Sequence, residues 1–184
     1  RWGVITSTDT DKRGNGVIIT NGKFLMYGGK IKGCFRGVYV YNPGTFDMYD
    51  GVISENEANG VTLDRSSKEI FNMYGGEISR NTGYGVEIWS SDIFNMCGGV
   101  IKDDPSRIKN IGVWCQGGTF KMSGGEISSC TRGVHVTCTD DDRSRSGVGS
   151  FEMSGGTITG NKIGVSLFTR YDGKGYSTKN ITKS

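Results

Sequence analysis

Apolar residues recur along this chain at strand spacing. In "FNMYGGEI", from Phe71, the Phe and the Met stand two apart and so share one face of a strand, not of a helix. The pair of glycines then bends the chain, and the Ile turns inward again. The phrase returns as "FLMYGGKI" from Phe24, "FDMYDGVI" from Phe46, "FNMCGGVI" from Phe94, "FKMSGGEI" from Phe120 and "FEMSGGTI" from Phe151. All six methionines of the protein fall in one column of this repeat. A second phrase, Gly-Val-x-apolar, follows each time: "GVYV" at Gly37, "GVTL" at Gly60, "GVEI" at Gly85, "GVWC" at Gly112, "GVHV" at Gly133 and "GVSL" at Gly164. An earlier, partial unit has "GVIT" at Gly3 and "GVII" at Gly16 without the Phe-x-Met.

Three short strands per unit, with Phe/Met, Ile and Val/apolar pointing inward, make one coil of a parallel β-helix. Neighbouring coils stack about 4.8 Å apart, so like side chains lie over like. No unit can bury its own apolar face alone, so consecutive units are required. The predicted fold is all-β: a single right-handed parallel β-helix of about seven coils. Residues 1–168 form the repeats, the first coil being partial. Residues 169–184 form a polar tail that caps the end or begins another coil. Three residues past each Ile lies a corner column of Cys34, Asn56, Asn81, Asp104, Cys130 and Asn161. Asn at such a corner bonds along the ladder, and Cys34 and Cys130 are expected as small buried thiols.

The phrase F-x-M-x-G-G-x-I-[ST]-x-N followed by G-V-x-[VIL] resembles the repeats of large bacterial and archaeal secreted or surface right-handed β-helix proteins, many of them adhesin-like. The resemblance spans the chain from Gly3 to about Phe168. It implies a scaffold outside the cytoplasm, extracellular or on the cell surface, and carries no catalytic signature residue by residue.

Composition narrows the options. Glycine is abundant at 31 residues and proline scarce at 2, but no G-X-Y period exists. The net charge of +3 is mild and its charges are interspersed, which argues against nucleic acid as a partner. No apolar run approaches the roughly 18 residues of a membrane span. The five cysteines include no C-x-x-C pair, which argues against a zinc ribbon or a redox motif. The chain starts in mid-motif, so it reads as part of a longer chain or a unit that associates end to end.

Function on a solenoid lies outside. The outward positions of the Gly-Val strand are Tyr39, Thr62, Glu87, Trp114, His135 and Ser166, then Tyr41, Asp64, Trp89, Gln116, Thr137 and Phe168. Aromatic faces beside polar groups suit a pyranose ring. The candidate ligand-binding residues are therefore Tyr39, Tyr41, Asp64, Glu87, Trp89, Trp114, Gln116 and His135, with a glycan or other cell-surface ligand as partner. The same aromatics also suit plain sheet packing. Two further readings stay open: a polysaccharide-active enzyme with Asp64 and Glu87 as its carboxylates, and a structural spacer. The outward position after Met holds Tyr27, Tyr49, Tyr74, Cys97, Ser123 and Ser154, which predicts a tyrosine ladder and an exposed Cys97.

Neither a metal nor a cofactor is called for. "DTDKRGNG" from Asp9 departs from a calcium loop at Arg13, and Asp140, Asp141 and Asp142 stand beside Arg143 and Arg145. Ile181 takes the Phe position of a following coil, and Asn180 opens a glycosylation sequon that matters only in a eukaryotic secretory cell.

Overall fold

A computed structural model describes residues 3–7, 14–104, 110–138 and 148–168. The two acidic segments and the tail discussed above, including Asn180 and Ile181, lie wholly or largely outside the described residues.

The described residues form β-strands and no helix. Neighbouring strands of successive coils pair in parallel, each residue against its counterpart one turn on. Phe24, Phe46, Phe71, Phe94, Phe120 and Phe151 align in one column, as do Met26, Met48, Met73, Met96, Met122 and Met153. Ile5, Ile31, Ile53, Ile78, Ile101, Ile127 and Ile158 align on a second wall. Val17, Val38, Val61, Val86, Val113, Val134 and Val165 align on a third. The chain is a parallel β-helix.

The count of about seven coils is corrected. The Phe column encloses about five full turns. Among the described residues seven strands lie on the Gly-Val wall, because one such strand precedes Phe24 and another follows Phe151. In the first coils the chain passes the Gly-Gly bend as one continuous strand, Lys23–Lys32 and Thr45–Ser54, with a bulge at Tyr27. Later coils break at the bend into separate strands such as Ile70–Met73 and Glu77–Ser79.

The core is the set of stacked columns. Phe46, Phe71, Phe94 and Phe120 have no exposed surface, and their rings stack 4.7 to 4.8 Å apart. Burial fades at the last described rung, where Met153 is 47% exposed. Gly76 is required where it stands. Its φ is 84°, and a Cβ there would meet the Met48 Cε at 2.5 Å and the Gly51 carbonyl oxygen at 2.7 Å. The Met column thus packs its methyl ends under the Gly-Gly bends.

The corner column behaves as an asparagine ladder over most of its length. The Asn56 Nδ2 donates to Asn81 Oδ1 at 2.9 Å, Asn81 Nδ2 donates to the Ile53 carbonyl, and Asn161 Nδ2 donates to the Ile127 carbonyl. Cys34 and Cys130 are buried at the same corner, and their backbone N–H groups donate to Asn56 and Asn161. Asp104 is the exception and corrects the prediction: it is exposed. The buried Asn110 side chain donates to the Asp104 carbonyl oxygen at 2.8 Å.

Candidate functional site

The Gly-Val wall carries the predicted residues in register. Tyr39, Thr62, Glu87, Trp114, His135 and Ser166 form one outward column. Trp89, Gln116, Thr137 and Phe168 continue the neighbouring one. The wall is polar and aromatic, but it is knitted together more tightly than the alternation alone implies.

Glu87 is its hub. Its carboxylate accepts a hydrogen bond from Asn59 Nδ2 at 2.7 Å and one from Gln116 Nε2 at 3.1 Å. Burial pushes the Glu87 carboxyl above its usual range, and hydrogen bonding from Trp89 and the nearby Arg36 pull the other way. Gln116 was expected to face solvent. It is buried at 8% exposure, because its amide lies down on Glu87 one rung back.

Trp89 and Trp114 do not form two open platforms. The Arg65 guanidinium carbon sits 4.3 Å from the Trp89 ring centroid, so an Arg covers that face. Tyr84 meets Trp114 edge-on at 4.5 Å, and the Trp114 Nε1 donates to Thr137 Oγ1 at 3.2 Å. Both tryptophans are half-buried.

At the first coils Tyr39 and Tyr41 lie with their rings 13° from parallel, and Arg36 sits 5.1 Å from the Tyr39 ring. Burial and a hydrogen bond to Asp64 push the Tyr39 phenol up to about 12. Tyr41 is the most open ring of the set at 37% exposure. At the far end, His135 Nδ1 is 2.8 Å from Ser166 Oγ, and its ring lies between Trp114 and Phe168. Burial, with Arg132 nearby, holds its pKa below the usual histidine value.

Arg36, Asn59, Arg65 and Tyr84 belong to this surface and escaped the column reading. They lie at corners and on turns rather than on the strand, so the period of two does not mark them. A further pair escaped it as well. Glu69 and Asp92 are fully buried on adjacent turns where other coils have Gly44 and Gly118. The Glu69 N–H donates to Asp92 Oδ1 at 3.0 Å, the Trp89 N–H donates to Asp92 Oδ2 at 3.2 Å, and the Asn42 N–H donates to Glu69 Oε1 at 2.9 Å. Burial and the Glu69 carboxyl push Asp92 up to about 10, so it stays protonated at neutral pH. An acid where sister coils have glycine is the sequence signal for this pair.

A parallel β-helix with a continuous polar-aromatic wall defines a repeat scaffold protein. Residues 1–144 match the family model described as periplasmic copper-binding protein (NosD), and the chain belongs to that family. That family is periplasmic, which supports a place in the cell envelope. No curated protein and no solved structure is significantly similar to the chain. No helix among the described residues is long and apolar enough to cross a membrane.

Proposed function

We propose that this chain is a non-catalytic β-helix module of the cell envelope that binds a glycan on its Gly-Val wall. The observation that carries the reading is the run of partly open rings Tyr39, Tyr41, Trp114 and His135 on one wall, with Tyr39 against Arg36 and Tyr41, Trp114 held by Tyr84 and Thr137, and His135 held by Ser166. Rings held rigidly beside hydrogen-bonding groups contact a sugar without losing much side-chain freedom on binding. Glu87 supports a binding role over a catalytic one, since its oxygens are committed to Asn59 and Gln116. Exposure at the cell surface, as in adhesins, is part of this proposal.

The family's name raises copper. Among the described residues no three His, Cys, Asp or Glu side chains converge as a metal site. Met26, Met48, Met73, Met96 and Met122 are buried in the core column. Burial pushes the Cys115 and Cys130 thiols up to about 12, which disfavours the thiolate that a metal needs. The described residues do not fit copper, and no role is assigned to it.

The test is a pull-down of the chain on insoluble and arrayed polysaccharides, with Trp114→Ala and Tyr39→Ala/Tyr41→Ala beside the wild type. Binding that these variants lose supports the proposal. Binding that they keep, or no binding to any polysaccharide, removes it. Release of soluble product would put the enzyme reading in its place.

A further inference from the structure

The tyrosine ladder on the opposite side of the coil stops abruptly. Tyr27, Tyr49 and Tyr74 stack at 4.8 and 4.9 Å, with planes 12° and 15° apart. The next rungs of the same column carry Cys97, Ser123 and Ser154. One face of Tyr74 is taken by Tyr49. The other has only small side chains before it, and Tyr74 is 46% exposed.

The room that further rings would fill is a trough of about 440 Å³, within the range of small-molecule sites. Tyr74, Cys97 and Ser123 line it along the ladder column, Asn95, Lys121 and Glu152 along the neighbouring column, and the half-exposed Met153 adds an apolar patch. It extends over the rungs of Cys97, Ser123 and Ser154, roughly 14 Å at the spacing between strands. The Lys121 Nζ and a Glu152 oxygen are 3.3 Å apart, and both side chains are more than half exposed. Asn95 is fixed by donating from Nδ2 to Asn72 Oδ1 at 2.8 Å.

We infer that this trough is a binding site for a neutral pyranose ring, which stacks on the open face of Tyr74 as the fourth ring of the ladder. The C–H face of a pyranose suits a tyrosine ring, and its hydroxyls suit a side wall that offers an ammonium donor and a carboxylate acceptor together. An aromatic hydrocarbon would also stack. It would strip water from Asn95, Lys121 and Glu152 and return nothing. A charged sugar would have to compete with the Lys121–Glu152 pair. The site lies on the Phe-Met wall and does not depend on the Gly-Val wall.

Cys97 is a built-in reporter. It is exposed in the trough, whereas Cys34, Cys115 and Cys130 are buried. The experiment measures alkylation of Cys97 by iodoacetamide, resolved by peptide mass spectrometry, with cellobiose, diacetylchitobiose or mannobiose at millimolar concentration. Calorimetry then gives the affinity of the protecting sugar for Tyr74→Ala, Cys97→Tyr, Cys97→Ser and Trp114→Ala. The expected result is that one disaccharide slows Cys97 alkylation. Tyr74→Ala and Cys97→Tyr then bind it at least about tenfold more weakly, the size of one lost aromatic contact, and Cys97→Ser and Trp114→Ala bind it as the wild type does. Cys97→Tyr fills the slot with a ring and extends the ladder, so its melting temperature shows whether the fold is kept. No protection by any of the three sugars overturns the inference. Full affinity in folded Cys97→Tyr, or a loss confined to Trp114→Ala, overturns it too.

Discussion

The Phe71 and Phe94 rings lie 4.7 Å apart with planes 5° from parallel, one full turn of chain between them. Each ring is the ceiling of one coil and the floor of the next. Phe94→Ala therefore opens a cavity against two neighbours at once, and should cost about 3–5 kcal/mol. Phe151→Ala, at the half-buried last described rung, should cost clearly less. Urea unfolding of both variants checks this, and equal costs would contradict the stacked-column account.

The corner ladder yields a polar counterpart. Asn81 Oδ1 accepts from both the backbone and the side chain of Asn56, at 3.2 and 2.9 Å. Its own Nδ2 donates to the Ile53 carbonyl at 3.2 Å. Asn81→Ala strands these buried partners and should cost about 1–3 kcal/mol for each group left unsatisfied. Asn81→Asp should also destabilise, since it sets a carboxylate oxygen against the Ile53 carbonyl. Stability of Asn81→Asp equal to wild type would mean the amide donor is not needed there.

The Glu69–Asp92 pair sets a pH dependence. Asp92 has a folded pKa pushed up to about 10 by burial and the neighbouring Glu69, against about 3.9 for an ordinary Asp. A raised acid contributes its stability in full below the unfolded value and loses it as pH rises toward the folded one. The wild type should thus melt progressively lower as pH climbs through that window. Asp92→Asn carries no proton to lose, so its melting temperature should change less between roughly pH 5 and pH 9, both inside that window. Parallel curves for the two proteins would remove Asp92 as the source.

Arg65 should act as a lid on one tryptophan. Its guanidinium lies over the Trp89 ring, so Arg65→Ala should make Trp89 fluorescence easier to quench with acrylamide. Trp114, in contact with Tyr84 instead, should be unaffected, and a Trp2→Phe/Trp114→Phe background leaves Trp89 as the one tryptophan signal. Unchanged quenching would mean that Arg65 does not stay on the ring.

The core was legible because it is written six times over. Phe, Met, Ile and Val stand at fixed offsets, and strand alternation alone assigns them inward. The tyrosine ladder and the exposed Cys97 followed from the same alternation. What could not be read is whatever depends on the corners, where the repeats differ in length. Asp104 is exposed where its column neighbours Asn81 and Cys130 are buried, in a repeat with more residues between this corner and the Gly-Val strand. Arg65 reaches Trp89 from a turn, and Glu69 meets Asp92 only because two turns stack. Gln116 shows the limit on the wall itself: alternation gives its direction, not the neighbour that covers it.

The register of the three walls also bears on how such a chain can change over time. Every rung presents the same partners above and below, so removing residues 71–93 would leave Phe94 following Ile70 and facing Phe46, another phenylalanine of the same column. A whole turn can thus be lost or copied without a new core having to be invented. Selection can adjust the reach of the molecule by coil number, while the corner segments vary independently.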